Sequence, residues 1–389
     1  MSSFIPASPA ELTPEWVTTT MRDAGVLPNG RVRSVTVRPL NGGGTGFTGE
    51  TVRVELEYED APDAPPSVIA KFPTADRLTR GMLEAFDAYA REIRFYQKYA
   101  HRLPCPTPAY LGADYDTKGA KHTGPRMSRL IDALPDRVQL MVTADVTKFM
   151  RASKRRYALL IEDLGGDTTV YDLTSPPDNA QLAAALEELA ALHAAFWHDG
   201  GLHGDDVFRA VLTTTPGLYQ TVGRKRCLAL AQELWADWLT VADVAALREA
   251  LDRFPEDVAR VNQKITMIHG DPRSDNILYG ADGKVVLLDW SLAGHAHPGY
   301  DVAYLLSSCL GTDRIGARHE LLERYEGALA RNGVEIDGAD LRATVAAAYR
   351  GLAVQQLMSI VVLNNESYGD DSMYDLWMPR ILVGIAAEW

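Results

Sequence analysis

The run His269-Gly270-Asp271-Pro272-Arg273-Ser274-Asp275-Asn276, followed by Val285-Val286-Leu287-Leu288-Asp289-Trp290, gathers three oxygen-bearing side chains around one short hairpin. They are Asp271, Asn276 and Asp289. An amide oxygen and a carboxylate on neighbouring strands, roughly 5 Å apart across the ladder, can share a hard cation such as Mg2+. An acid just upstream, on the loop that feeds the hairpin, can reach a substrate hydroxyl and take its proton.

The elements that must hold these residues are legible around them. Ile265 to Ile268 is mostly apolar and predicts a strand running into His269. Asn276 to Tyr279 and Lys284 to Leu288 predict two more, joined by the turn Gly280-Ala281-Asp282-Gly283. Folded about that turn, Asn276 falls opposite Leu287 or Leu288, beside Asp289. A second His-Gly-Asp, at His203-Gly204-Asp205, has Ala210 where the Asn would stand and no flanking strands, so it reads as a surface loop.

The His-Gly-Asp-x-x-x-x-Asn pattern with a later Asp resembles the catalytic segment of the kinase-like small-molecule phosphotransferases. That superfamily includes the aminoglycoside phosphotransferases, choline kinases and ecdysteroid-kinase-like proteins. The resemblance implies Asp271 as base, and Asn276 and Asp289 as ligands of Mg2+ on the phosphates of ATP. Arg273 would either reach the γ-phosphate or lie on the surface. His269 would prop the loop. Asp301, in Pro298-Gly299-Tyr300-Asp301, would cap the helix that starts there and brace the loop.

The first half fits that picture. Asn41-Gly42-Gly43-Gly44-Thr45-Gly46-Phe47-Thr48-Gly49 lies between two strand-like stretches, Val32–Val37 and Thr51–Tyr58. Such a hairpin can close over phosphates, because glycine lets backbone N–H groups come near the oxygens. No Gly-Lys-Ser/Thr follows, so it is not a Walker loop. Val68-Ile69-Ala70-Lys71-Phe72 predicts a buried strand carrying one Lys, which needs a partner. Val-Ile-Ala-Lys resembles the kinase Val-Ala-Ile-Lys. Glu92, on a helix expected over Glu84–Ala100 with Phe86, Tyr89, Ile93 and Tyr96 along one stripe, is the expected partner, and Glu84 competes with it. Tyr157 to Leu164 is an apolar run closing in acids; the family resemblance implies that it leads into a hinge whose backbone near Glu162 reads the adenine edge.

The second half predicts helices. Leu182, Leu186, Leu189, Leu192, His193, Phe196 and Trp197 recur at helical spacing, with His193 read as a core histidine or one that supports the site from behind, not a ligand. Leu-His-Ala-Ala-Phe-Trp resembles a helix of ecdysteroid-kinase-like proteins, which points to a lipophilic or steroid-like acceptor. An antibiotic acceptor, cationic in the aminoglycosides, would instead want an acidic pocket, which Glu366, Asp370, Asp371 and Asp375 could supply. Further helices are expected over 227–239, 243–262, 315–332, 338–360 and 373–387. Only eleven residues separate Asp289 from Asp301. That leaves no room for a protein-kinase activation segment, so a small-molecule acceptor is favoured over a folded protein.

The formal charge is −13 over 389 residues, which argues against general nucleic-acid binding. Ten Lys or Arg and three acids between 117 and 156 make that segment +7 and leave −20 elsewhere. It is either a solvated basic insertion or a cationic flap near the nucleotide or an anionic acceptor. Three cysteines without pairing spacing fit a reducing cytoplasm, and no apolar run is long enough to span a membrane.

The expected fold is α+β and two-lobed like a protein kinase: a small antiparallel-sheet N-lobe (1–162, including the basic insertion) and a mostly helical C-lobe (163–389). The expected activity is ATP- and Mg2+-dependent transfer to a hydroxyl of a small molecule. A non-catalytic nucleotide-binding module is the alternative of another class.

Overall fold

The structure, a computed structural model, describes residues 4–40, 45–46, 49–117, 129–143, 154–166, 168–362 and 373–389. The glycines Gly42, Gly43 and Gly44, and the acids Glu366, Asp370 and Asp371, lie outside the described residues.

The chain divides into two compact units. Among the described residues, the first holds α1 (Pro14–Asp23), six strands, α2 (Arg77–Ala85) and α3 (Ala88–Lys98). The strands are β1 (Arg31–Pro39), β2 (Thr45–Gly46), β3 (Gly49–Glu59), β4 (Ser67–Pro73), β5 (Tyr110–Tyr115) and β6 (Tyr157–Glu162). Every pairing is antiparallel, in the order β1-β3-β4-β6-β5, with β2 on β3. Period-two patterning fixes the inner face: Val52, Val54 and Leu56 of β3 and Val68, Ala70 and Phe72 of β4 are buried with Trp16, Val17 and Met21 of α1. Each such side chain withdrawn from water contributes on the order of 1.5–3 kcal/mol. Lys71, between Ala70 and Phe72, therefore points to the opposite face.

The single helix expected over Glu84–Ala100 is two helices. The chain breaks at Phe86-Asp87, where Asp87 has φ 56° and Phe86 is 46% exposed, off the buried stripe. The Asp87 carboxylate takes Arg94 at 2.7 Å and Arg155 at 3.4 Å, and these long-range ion pairs hold the break.

The second unit is mostly helical. Its elements are α4 (Asp136–Thr143), β7 (Thr168–Val170), α5 (Asn179–Ala195), α6 (Pro216–Val222), α7 (Leu228–Leu234), α8 (Val241–Val261), β8 (Thr266–Ile268), β9 (Ile277–Gly280), β10 (Val285–Leu287), β11 (Gly294–Ala296), α9 (Gly299–Cys309), α10 (Arg318–Arg331), α11 (Gly338–Val362) and α12 (Met373–Ala386). Capping boxes start α5 (Asp178 with Gln181) and α8 (Thr240 with Asp243). All of α9 is buried, as befits a helix apolar all round. The mixed α+β architecture agrees with expectation. The division is less simple than one boundary at 162: residues 103–106 and 129–143, the latter inside the basic segment, group with the second unit.

Candidate active site

In the second unit, β9 and β10 pair as Tyr279↔Val285, Leu278↔Val286 and Ile277↔Leu287. One step further, Leu288 N–H donates to Asn276 O at 2.8 Å. Asn276 thus faces Leu288, and Asp289 follows directly, in the register the turn at 280–283 predicts. Gly283, at φ 83°, closes that turn with its N–H on Gly280 O.

Each side chain is then fixed. The Asn276 amide donates from Nδ2 to Asp271 O at 2.9 Å. That orientation commits the NH2 group and leaves the amide oxygen as the atom that could accept or coordinate. Asp289 sits in the left-handed region at φ 59°, ψ 82°, and its Oδ1 accepts from Ser291 N–H at 3.1 Å. A non-glycine residue held there costs of order 1–3 kcal/mol and marks functional sites. Among the described residues no group of three or more His, Cys, Asp or Glu could hold a metal ion. An amide oxygen and one carboxylate fit Mg2+ in particular, because Mg2+ keeps several waters and takes its remaining ligands from phosphates.

The loop ahead of β9 is clamped from behind. Asp301, fully buried in the first turn of α9, accepts from His269 N–H (2.6 Å) and Gly270 N–H (2.9 Å). Its Oδ2 also meets His193 Nε2 at 3.2 Å, and His193 Nδ1 meets the Tyr325 hydroxyl at 2.8 Å. Asp301 braces the loop as expected but does not cap α9: Pro298 is the cap position, without a side-chain bond. His193, fully buried, is the core residue foreseen. His269 is buried too. Its Nδ1 takes the Asp271 N–H (3.3 Å) and its Nε2 faces Leu288 O (2.8 Å), a pair of bonds that needs the neutral ring with its proton on Nε2. Burial lowers its pKa against the pull of Asp301 and Asp289, which agrees. Gly270 has φ 86°, and a Cβ there would stand 2.0 Å from Leu292 O, so no other residue fits.

Asp271, 6% exposed, has its carboxyl pushed up to about 7. Burial is the main cause; Asp275 and Asp289 add to it, and Arg273 and a hydrogen bond with Tyr304 oppose it. Its Oδ1 lies 3.1 Å from Arg273 Nε but has no hydrogen-bond partner among the described residues. Arg273 is buried, which removes the surface alternative: it also lies 3.4 Å from Asp275, 5.9 Å over the Trp377 ring, and sends Nη1 to Met373 Sδ at 2.9 Å. Trp377 packs on Tyr304 (5.1 Å between rings) and is fixed by its Nε1–H on Ser307 Oγ at 3.0 Å. Tyr304, Met373 and Trp377 were not picked out from sequence. Their only signal is apolar helical spacing, which any core helix shows.

In the first unit, Lys71 Nζ pairs with Glu92 Oε1, both largely buried. Glu84, the competing candidate, pairs with Arg80 at 3.1 Å. Thr45 pairs with Glu50 and Gly46 with Gly49, a piece of the expected Gly-rich hairpin. Glu162 ends β6: its N–H donates to Ala109 O at 2.9 Å, and its exposed carboxylate takes Ala109 N–H at 3.0 Å. Asp163 next to it was missed as an anchor. Burial raises its pKa, but bonds from Arg53 (2.6 Å) and Ser67 (2.6 Å) outweigh that and lower it overall. Among the remaining expected acids, Asp375 accepts from Trp235 Nε1–H at 2.8 Å.

A model of the family described as "Phosphotransferase enzyme family" matches residues 77–336, two thirds of the chain. No curated protein matches. Solved structures that are similar include choline kinase from Cryptosporidium parvum (9% identity, 90% of this chain and 88% of that one, TM-score 0.49). Choline kinase LicA from Streptococcus pneumoniae is another (14%, 91% and 94%, TM-score 0.46). A third is the macrolide 2'-phosphotransferase MphH from Brachybacterium faecium (12%, 96% and 97%, TM-score 0.45). With TM-scores below 0.5 these likenesses carry no argument of their own, and the family match stands by itself.

Proposed function

This chain belongs to the phosphotransferase enzyme family, and from that premise we propose that it moves the γ-phosphoryl group of ATP to a hydroxyl of a small, lipophilic molecule, with Mg2+ as cofactor. The observation that carries the reading is the Asp271 carboxylate: buried, raised towards neutrality, at the head of a clamped loop, with Oδ1 accepting no hydrogen bond among the described residues although Arg273 lies beside it. A base of that kind suits proton abstraction from an alcohol at physiological pH.

The residues divide the work. Asp271 orients the acceptor hydroxyl and takes its proton. Asn276 and Asp289 would hold Mg2+. The ion, when bound, neutralises charge on the β- and γ-phosphate oxygens. Lys71, held by Glu92, would meet the α/β-phosphates, and the hairpin with Gly42, Gly43, Gly44, Thr45 and Gly46 would cover them. Backbone groups beside Glu162 would read the adenine. Arg273 holds the Asp271 carboxylate from one side, and this fixed charge pair lies against Trp377 and Tyr304. Phosphoryl transfer is mostly positioning and charge stabilisation, and this set supplies both.

The wall beside Asp271 favours an apolar acceptor over a polycation. It consists of Tyr304 and Trp377, with the Arg273 guanidinium laid on the latter.

The test is ADP release from ATP across hydroxylated sterols, alcohols, metabolites and antibiotics. We expect turnover with an apolar alcohol and a loss of about 10²–10⁴-fold in Asp271→Ala, with nucleotide binding retained. Full activity in that variant removes Asp271 from the mechanism, and turnover confined to aminoglycosides overturns the acceptor class.

A further inference from the structure

The second His-Gly-Asp of the chain, which phosphoryl transfer does not use, lies in the second unit against β11. Its loop is pinned at several points. His198, held at φ 53°, donates its N–H to Ile265 O at 2.7 Å. Asp199 Oδ1 accepts from Gly201 N–H at 2.8 Å and caps the short turn Gly200–Leu202. His203 N–H closes that turn on Gly200 O at 3.2 Å. Leu202 is buried, and His203 beside it is exposed. On the other side, β11 is fixed by its neighbours: His295 pairs with Met267 of β8, and Gly294 bridges to Arg209.

The two segments bring two imidazoles together. The rings of His203 and His295 lie 4.9 Å apart, centre to centre, tilted by 60°. His295 is 5% exposed, and its Nε2, shielded from water, has no hydrogen-bond partner among the described residues. Ring packing by itself accounts for the distance but not for the orphaned nitrogen, since buried polar atoms in native proteins are nearly always satisfied. One ion bound by both rings accounts for the two together. With nitrogen-to-metal bonds of about 2.0–2.1 Å and tetrahedral or square angles, two imidazoles sharing an ion hold their centres roughly 4.5–5 Å apart.

We propose that His203 and His295 form a binding site for a divalent transition-metal ion of the Zn2+, Ni2+ and Cu2+ class, separate from the Mg2+ site. Imidazole nitrogen selects these ions over Mg2+, which prefers oxygen. Ligation needs neutral rings, and His295 is already neutral at physiological pH. Burial first, then His203, Lys264 and more weakly His198, bring its pKa down to about 4. Asp199, close enough to His295 to oppose that shift, offsets Lys264 for an arriving cation. Among the described residues no third His, Cys, Asp or Glu completes a set, so water fills the remaining positions, and the exposed side of His203 gives the ion its way in. A bound ion would tie the loop 198–205 to β11, and so to β8, the strand that runs into the catalytic loop.

The test is calorimetric titration of the metal-free full chain with Zn2+ in excess Mg2+. One Zn2+ per chain should bind, and the ion should raise the melting temperature, as a ligand of the folded state alone does. Loss of a group that merely supports a metal ligand costs about 10–100-fold in affinity. Loss of a ligand itself, in His203→Gln, should therefore weaken Zn2+ binding about tenfold or more. His203 is exposed, so this variant should keep the wild-type melting temperature without metal. His295→Gln should show the same loss of affinity, and Asp289→Ala should bind Zn2+ like wild type. No Zn2+ binding, or binding that survives both histidine substitutions, would overturn the proposal. Binding lost in Asp289→Ala but kept in His203→Gln would overturn it as well and assign the ion to the phosphoryl-transfer site.

Discussion

Asp301 shows how much one buried side chain can organise. It lies under the loop, touches none of the proposed substrates, and satisfies two backbone N–H groups and His193 at once. Removing it strands those donors in a water-free interior, at about 1–3 kcal/mol for each buried group left unpaired. Asp301→Ala should therefore destabilise the protein by roughly 3 kcal/mol or more. Chemical denaturation measures this directly, and a loss under about 1 kcal/mol would show that the clamp is not structural. Asp301 was visible in the sequence as a bracing residue. Its partner His193 was visible as a core or supporting histidine, but its pairing with Asp301 was not, because nothing in the sequence says which of many buried groups will meet across more than a hundred residues.

Local rules decide some elements and fail at others. The hairpin β9–β10 follows from alternation and a glycine turn, so its register, and with it the approach of Asn276 to Asp289, was readable before any coordinates. The break between α2 and α3 was not. It depends on Asp87 adopting φ 56°, held by Arg94 and by Arg155 from a distant part of the chain. At Gly270 the opposite holds: a local backbone demand, φ 86° and a Cβ position 2.0 Å from Leu292 O, makes the residue irreplaceable. Gly270→Ala should cost more than about 2 kcal/mol and displace Asp271, which hangs from the same loop. A variant with wild-type stability and turnover would mean that the loop yields more easily than its packing against Leu292 implies.

Across the whole molecule, the two-unit organisation and the separation of sheet from helices were legible. The path of the chain between units was not, because segments 103–106 and 129–143 join the second unit through contacts that no periodicity announces. Charge acts at this scale too. His295 of β11 is held neutral, its pKa brought down to about 4 by burial and then by His203 and Lys264. The unfolded chain takes up a proton at this residue below about 6.5, but the folded chain does so only near 4. His295 therefore subtracts stability as pH falls through that window. His295→Gln should narrow the drop in melting temperature between about pH 7 and about pH 5; an unchanged drop would show that His295 titrates normally.

The account rests on an amide and a carboxylate sharing Mg2+ beside a poised acid, and calorimetric titration of ATP with and without Mg2+ tests it most directly. Wild type should bind ATP in a Mg2+-dependent manner, and Asp289→Ala should abolish that dependence while keeping its fold. The same affinity in both proteins, or wild-type binding indifferent to Mg2+, would contradict the account.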